Sequence, residues 1–273
     1  MSTANLVFIG GGNMATSLIG GLIEKGYPAS AIVACDPVPE NGKRLEASFG
    51  IATQTKNSAA AAGADIIILA IKPQVMKAVA SDLAPALAHK PLVISIAAGI
   101  TAAALQDWLG AEVPIIRCMP NTPALVQSGA SGLFATPLVQ PAQRQQAGDI
   151  LAAVGTVNWL DSEDDIDKVT ALSGSGPAYF FLVIEAMTEA GINLGLDPET
   201  ARQLTLQTAL GAARMAIASD VDAGELRKRV TSPAGTTEKA VNSLLANQLP
   251  EHFQQAINAA YERAREMARE LTD

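Results

Sequence analysis

The chain has 273 residues, 49% of them apolar and 17% charged, a balance that excludes a disordered chain and gives enough length for one large domain or two modest ones. Its net charge of −8, 19 basic against 27 acidic residues with no basic cluster, argues against a nucleic-acid partner. Cys35 and Cys118 each close an apolar run and suggest no disulfide framework, and Met1 to Asn5 carries no cationic leader, so a cytoplasmic protein is expected.

Leu6-Val7-Phe8-Ile9 reads as a short buried strand, and Met14 to Lys25 carries apolar residues at helical spacing. Between them Gly10, Gly12 and Ala15 fit G-x-G-x-x-G/A, the turn that seats a dinucleotide's pyrophosphate on a helix N-terminus. A second strand, Ile32 to Cys35, ends at Asp36, which lies 24 positions after Gly12 (36 − 12), near the spacing of a ribose-contacting carboxylate. Pro37 and Pro39 break the chain before a helix over Glu40 to Ser48. Ile66 to Ile71 is a third strand, apolar throughout as in a sheet covered on both faces, and Lys72-Pro73 stops it before a helix from Gln74 to Leu87. Leu92 to Ile96 is the next strand and runs into Ala97-Ala98-Gly99. Thr101 then caps a helix, Ala102 to Leu109, that Gly110 ends. Val113 to Cys118 leads to Met119-Pro120-Asn121-Thr122-Pro123, and Gly132 to Ala135 and Val157 to Leu160 add edge strands around a helix near Gln143 to Val154. This alternation predicts an α/β fold with an N-terminal Rossmann-like doubly wound sheet over residues 1–161.

From Ser162 the pattern is helical only. Ser162 with Asp165 makes a loose capping box, and a helix over Ile166 to Leu172 is interrupted by Ser173-Gly174-Ser175-Gly176-Pro177. Ala178 to Asn193 follows, apolar on most sides apart from Glu185 and Glu189. Asp197-Pro198 opens another helix to about Ser219, and Glu251 to Leu271 is a charged terminal helix with Glu262/Arg265 and Glu266/Arg269 at i,i+3. Residues 162–273 are thus expected to form an all-α dimerisation and substrate domain. A helix as apolar as Ala178 to Ile184 points to an interdigitated homodimer, with further assembly left open. The runs Ile66 to Ile71 and Tyr179 to Ile184 are six residues each, too short for a membrane span.

His89 and His252 lie far apart in polar surroundings, and there is no Cys/His cluster, Walker loop or G-x-S-x-G elbow, so neither a metal nor a nucleophilic triad is expected. Two small, hydroxyl-rich segments remain, 173–177 and Thr231-Ser232-Pro233-Ala234-Gly235-Thr236-Thr237, each placed before a helix where free amides can receive a carboxylate. Either alone also reads as ordinary capping. Together, beside a nucleotide domain, they suggest a small anionic substrate.

The domain order and three motifs, Arg117-Cys118-Met119-Pro120-Asn121-Thr122-Pro123, Leu172-Ser173-Gly174-Ser175-Gly176-Pro177-Ala178-Tyr179 and Thr231 to Thr237, resemble the pyrroline-5-carboxylate reductases over essentially the whole chain. The resemblance implies hydride transfer from a reduced nicotinamide to C5 of a cyclic imine, giving L-proline. A basic imine nitrogen can arrive already protonated, so positioning and a hydrogen bond suffice where a ketone would need a strong acid. By the same resemblance Thr237 hydrogen-bonds the ring nitrogen, and Ser232, Gly235 and Thr236 hold the carboxylate. Ser173, Ser175 and Gly176 shape the pocket, and Glu163 lies near the ring's positive charge or serves as a first-turn acid. The cofactor maps onto Ile9, Gly10, Gly11, Gly12, Asn13 and Met14 at the pyrophosphate and Asn57 at the adenosine ribose. Ala70, Ile71, Lys72 and Pro73, then Ala97 and Ala98, follow along the nicotinamide half. The family's association with NADPH favours NADPH, whereas Asp36 would attract a ribose hydroxyl and keeps NADH as an alternative donor; Lys43 and Arg44 could offset it. Two rivals differ in class. A β-hydroxyacid dehydrogenase needs a lysine that the helix from Pro177 to Leu194 lacks, and a non-catalytic dinucleotide sensor would need no second hydroxyl-rich loop.

Overall fold

The computed structural model describes residues 3–110 and 112–272. One compact unit takes in the chain up to Ser175 together with Ala260 onward, and the other is Gly176–Ala259. The first is built on an eight-stranded sheet: β1 (Leu6–Ile9), β2 (Ile32–Cys35), β3 (Ala52–Gln54), β4 (Ile66–Leu69), β5 (Leu92–Ser95), β6 (Ile115–Met119), β7 (Gly129–Ala135) and β8 (Gly155–Trp159). Their order is β3-β2-β1-β4-β5-β6-β7-β8, and every pair is parallel except β6 with β7. Helices α1 (Asn13–Glu24), α2 (Pro39–Phe49), α3 (Asn57–Ala61), α4 (Met76–Leu83), α5 (Ala102–Leu109) and α6 (Pro141–Leu151) connect them.

Alternation along the strands explains the two-sided core. Leu6, Phe8, Ile66 and Ile68 pack with α1 and α6, while Val7, Ile9, Ile67 and Leu69 pack with α4 and α5. Each such side chain contributes about 1.5–3 kcal/mol on burial, which is why these strands carry no polar residue. β1 is the switch point, with β2 on one side and β4 on the other, so the crevice at their carboxyl ends is where a doubly wound sheet binds ligands.

Some local expectations change. β3 and α3 are additional, the strand too short and too polar to announce itself in the sequence. The helix expected over Gln74 to Leu87 is α4 flanked by 3₁₀ turns at Pro73–Val75 and Ala84–Ala86, where Pro73 and Pro85 withhold amide donors. The third strand ends at Leu69, and Ala70 onward leaves the sheet.

The described chain after Trp159 contains helices only: α7 (Asp165–Val169), α8 (Gly176–Asn193), α9 (Pro198–Ala218), α10 (Ala223–Arg229), α11 (Thr236–Ala246) and α12 (Leu249–Thr272). Segment 173–177 is not a loop, contrary to expectation. Thr170–Gly174 forms a π-helical turn, Ser175 N donating to Thr170 O at 2.8 Å, and α8 follows at once. Ser162 does not open α7: its Oγ accepts from Asp164 N, and Asp164 is the residue before the helix. In α12 Glu262 pairs with Arg265 as expected, but Glu266 pairs with Arg263, which also grips Glu270. Within the 29-residue helical stretch Asp165–Asn193 one 18-residue window reaches a mean hydropathy of 1.2, enough by length and composition alone to pass for a bilayer-crossing segment, as the core helix of a globular protein also does.

In the unit Gly176–Ala259 most large apolar side chains are exposed. Phe180 is 71%, Phe181 65% and Leu182 65% accessible, three neighbours on α8, and Ile217 near the end of α9 is 86% accessible.

Candidate functional site

The glycine turn is held from both sides. Gly10 N donates to Cys35 O at 2.7 Å and Ala70 N to Ile9 O at 2.8 Å, which pins the turn between the ends of β2 and β4. Gly10 has φ +102°, and a Cβ there would stand 2.4 Å from Ala70 O, so glycine is obligatory. Gly12 differs. It precedes α1 in extended conformation, no side chain caps that helix, and a Cβ on it would meet nothing within 4 Å. The open space before uncapped first-turn amides at Asn13 and Met14 fits a pyrophosphate, whose charge the helix end would stabilise.

Asp36 braces this turn. Its Oδ2 accepts from Gly11 N and its Oδ1 from Val38 N, both at 2.8 Å. Arg44, on α2, reaches back and donates from Nη2 to Gly11 O at 2.7 Å. The guanidinium therefore stands beside the turn. Asn57 opens α3, next along the same rim. Beyond β4, Ile71 packs against Gly10, Lys72 is exposed at the start of a 3₁₀ turn, and Pro73 lies within that turn. Beyond β5, Ala97 N donates weakly to Ser95 Oγ at 3.4 Å, and Ala98 follows. Thus Ile9, Gly10, Gly11, Gly12, Asn13, Met14, Asp36, Ala70, Ile71, Lys72, Pro73, Ala97 and Ala98 all lie at the carboxyl ends of β1, β2, β4 and β5.

The same end of the sheet holds two motif segments. Asn121, buried after β6, accepts from Ala130 N through Oδ1 at 2.9 Å and donates through Nδ2 to Ser173 O at 3.0 Å. A Cβ on Gly174 would come 2.7 Å from Met119 Cε, so the π turn and the Met119-Pro120-Asn121 segment are in close contact. Glu163 is ion-paired with Arg117 at 2.8 Å and accepts from Ala102 N at 2.7 Å.

The segment 231–237 lies in the other unit. Thr231 Oγ1 donates to Arg227 O and Gly235 N to Ser232 O. Gly235 precedes α11 with no side-chain cap, and Glu238 Oε2 accepts from Ala234 N at 2.9 Å, fixing Ala234 at φ +59°. Ser232 and Thr236 are exposed and Thr237 is half-buried. Such a turn presents hydroxyls and free amides together.

Thiol and metal chemistry find little purchase. Burial, then the neighbouring Asp36 charge, pushes the Cys35 thiol up to about 11, and burial raises Cys118 further. Among the described residues no group of His, Cys, Asp and Glu is placed to hold a metal ion. Sequence reading had only suggested Arg44 and gave no role to Arg117, Asn121 or Glu238. Arg117 carried a usable signal, since a cation inside Ile115-Ile116-Arg117-Cys118 must find a buried partner.

The chain matches two family models: "Pyrroline-5-carboxylate reductase dimerisation" over residues 163–267 and "NADP oxidoreductase coenzyme F420-dependent" over residues 5–99. It is 56% identical to a pyrroline-5-carboxylate reductase of Pseudomonas aeruginosa, covering 99% of both chains. Among solved structures it is similar to a pyrroline-5-carboxylate reductase from Coxiella burnetii, with 46% identity, a TM-score of 0.94 and coverage of 98% and 99%. It is also similar to the Plasmodium falciparum pyrroline carboxylate reductase solved with NADP bound, with 30% identity, a TM-score of 0.87 and coverage of 98% and 99%.

Proposed function

The chain belongs to the pyrroline-5-carboxylate reductase family, and from that premise we propose how its residues reduce 1-pyrroline-5-carboxylate to L-proline. The protein is an NAD(P)H-dependent oxidoreductase acting on a C=N bond. The hydride that reaches C5 is supplied by the reduced nicotinamide when the dinucleotide is bound. It converts a protonated imine into a neutral secondary amine, so no further proton is needed during transfer.

The residues carry three tasks. First, the turn Ile9 to Met14 receives the pyrophosphate, Asn57 the adenosine ribose, and Ala70-Ile71-Lys72-Pro73 with Ala97-Ala98 the nicotinamide half. Lys72 serves through its backbone. Second, Ser232, Gly235 and Thr236 hold the substrate carboxylate, aided by the uncapped start of α11, with Ser173, Ser175 and Gly176 shaping the pocket. Third, Thr237 Oγ1 accepts from the ring N–H and keeps the imine charged. The Glu163 carboxylate is engaged by Arg117 and Ala102 N, which directs it toward holding the fold around the site. Functionally, residues 1–161 make the cofactor half and 162–273 the substrate and dimerisation half of a cytoplasmic homodimer.

NADPH is the preferred donor, with NADH usable. Both Asp36 oxygens already accept backbone amides, and Arg44, bonded to Gly11 O, brings a cation to the same turn, so repulsion of a 2′-phosphate is muted. The observation that carries the cofactor reading is the uncapped, open Gly12 position at the switch point. The test is cofactor oxidation with 1-pyrroline-5-carboxylate, with a β-keto acid and with neither, each with NADPH and NADH. Turnover is expected only with the imine, and faster with NADPH. Thr237→Ala is expected to lower kcat about 100-fold with cofactor affinity nearly intact. Full activity in that variant removes its role.

A further inference from the structure

Arg117 is the only charged side chain among the described residues that is buried, at 4% exposure. Alternation along β6 turns Ile116 and Cys118 toward the face covered by α1 and α6. Ile115 and Arg117 therefore face the side of α4 and α5. There Arg117 Nη1 donates to Glu163 Oε1 at 2.8 Å, and the same oxygen accepts from Ala102 N, the first amide of α5, at 2.7 Å. Nη2 is buried and meets no acceptor among the described residues. A buried guanidinium with one unmet donor, paired to a carboxylate that is 29% exposed, is a poor way to stabilise a fold, since an apolar residue of similar volume in the strand serves at least as well. Its retention calls for another use.

One carboxylate oxygen ties together β6, the start of α5 and the segment before α7. The start of α5 ends the turn 96–101, which holds Ala97 and Ala98. On its other side the turn is closed by α12: Gly99, at φ +73°, lies against Met267, Ala268 and Leu271, within 3.4 Å of where a Cβ would stand. The turn is thus fixed at one end by Glu163 and in its middle by the terminal helix.

We propose that Arg117 and Glu163 are positioning residues that hold the Ala97-Ala98 backbone at the height needed to meet the nicotinamide ring. This rests on the nicotinamide placement given above. The measurement is calorimetric binding of NADPH and of 2′-phospho-ADP-ribose, the same ligand without its nicotinamide, alongside kcat and Tm. Glu163→Ala is expected to weaken NADPH and lower kcat by about tenfold each while shifting the fragment less than about twofold. Glu163→Gln, which keeps an acceptor for Ala102 N, restores both to within about threefold. Arg117→Met, which leaves the strand apolar, reproduces the NADPH-selective loss with Tm held, and serves should Glu163→Ala not fold. NADPH and the fragment shifting together, or neither shifting, overturns the assignment. If the unaltered protein binds the two ligands equally, the nicotinamide placement falls and this inference with it.

Discussion

Two glycines two residues apart make opposite demands. At Gly10 the backbone is left-handed and a methyl would strike Ala70 O, so Gly10→Ala is strained in conformation and space and should cost roughly 2–4 kcal/mol of stability. Gly12 has an ordinary φ of −74° and open space around it, so Gly12→Ala should leave Tm within about 2 °C. In the cofactor placement proposed above, the same methyl stands where the pyrophosphate approaches the α1 amides, so Gly12→Ala is expected to weaken NADPH binding about 100-fold. Thermal unfolding with cofactor titration separates the two; a Gly12→Ala protein that binds normally would remove the cradle from the cofactor site. The glycine pattern was legible in the sequence because each position has a backbone reason. Arg44 was legible only as one of two cations, with Lys43, near Asp36 in sequence, since a long side chain on the following helix can point anywhere until the sheet fixes the distance.

At the scale of elements, the central strands β1, β2 and β4 announced themselves by being apolar on every residue. Segment 173–177 did not, because Ser, Gly and Pro punctuate loops in most chains. Here Ser175 N is bonded to Thr170 O in a π turn, and Gly174 lies against the tip of the Met119 side chain. Asn121 ties that turn to the sheet by serving Ala130 N and Ser173 O at once. Asn121→Ala removes both partners in the interior, at about 1–3 kcal/mol for each group left unsatisfied. The expected outcome is a Tm drop of several degrees with a larger loss in substrate KM than in cofactor affinity. A variant with wild-type Tm and KM would show the π turn needs no such tie.

For the whole molecule, the question is what covers α8. Phe180, Phe181 and Leu182 are consecutive, so their side chains span about 200° of the helix circumference, yet all three are largely exposed in the single chain. An apolar cleft of about 350 Å³ runs beside them, lined by Tyr179, Leu182, Val183, Leu249 and Phe253. A surface this apolar is costly in water, and a flat partner could cover only one side of the helix. A second copy bringing its own helices around α8 would cover the arc, in keeping with the dimerisation family matched over 163–267. The apolarity was plain in the sequence; which sides stay uncovered by the chain itself required the fold. Burying a phenylalanine contributes about 1.5–3 kcal/mol, doubled by symmetry when each copy brings its own. Phe180→Asp forfeits that and buries two carboxylates instead, so it is expected to shift the protein to monomer at micromolar concentration, with helical circular dichroism retained and turnover lost. Light scattering coupled to gel filtration reads the first and the reductase assay the last. A dimer of undiminished activity would place Phe180 outside the interface, and a fully active monomer would show that catalysis needs one copy alone.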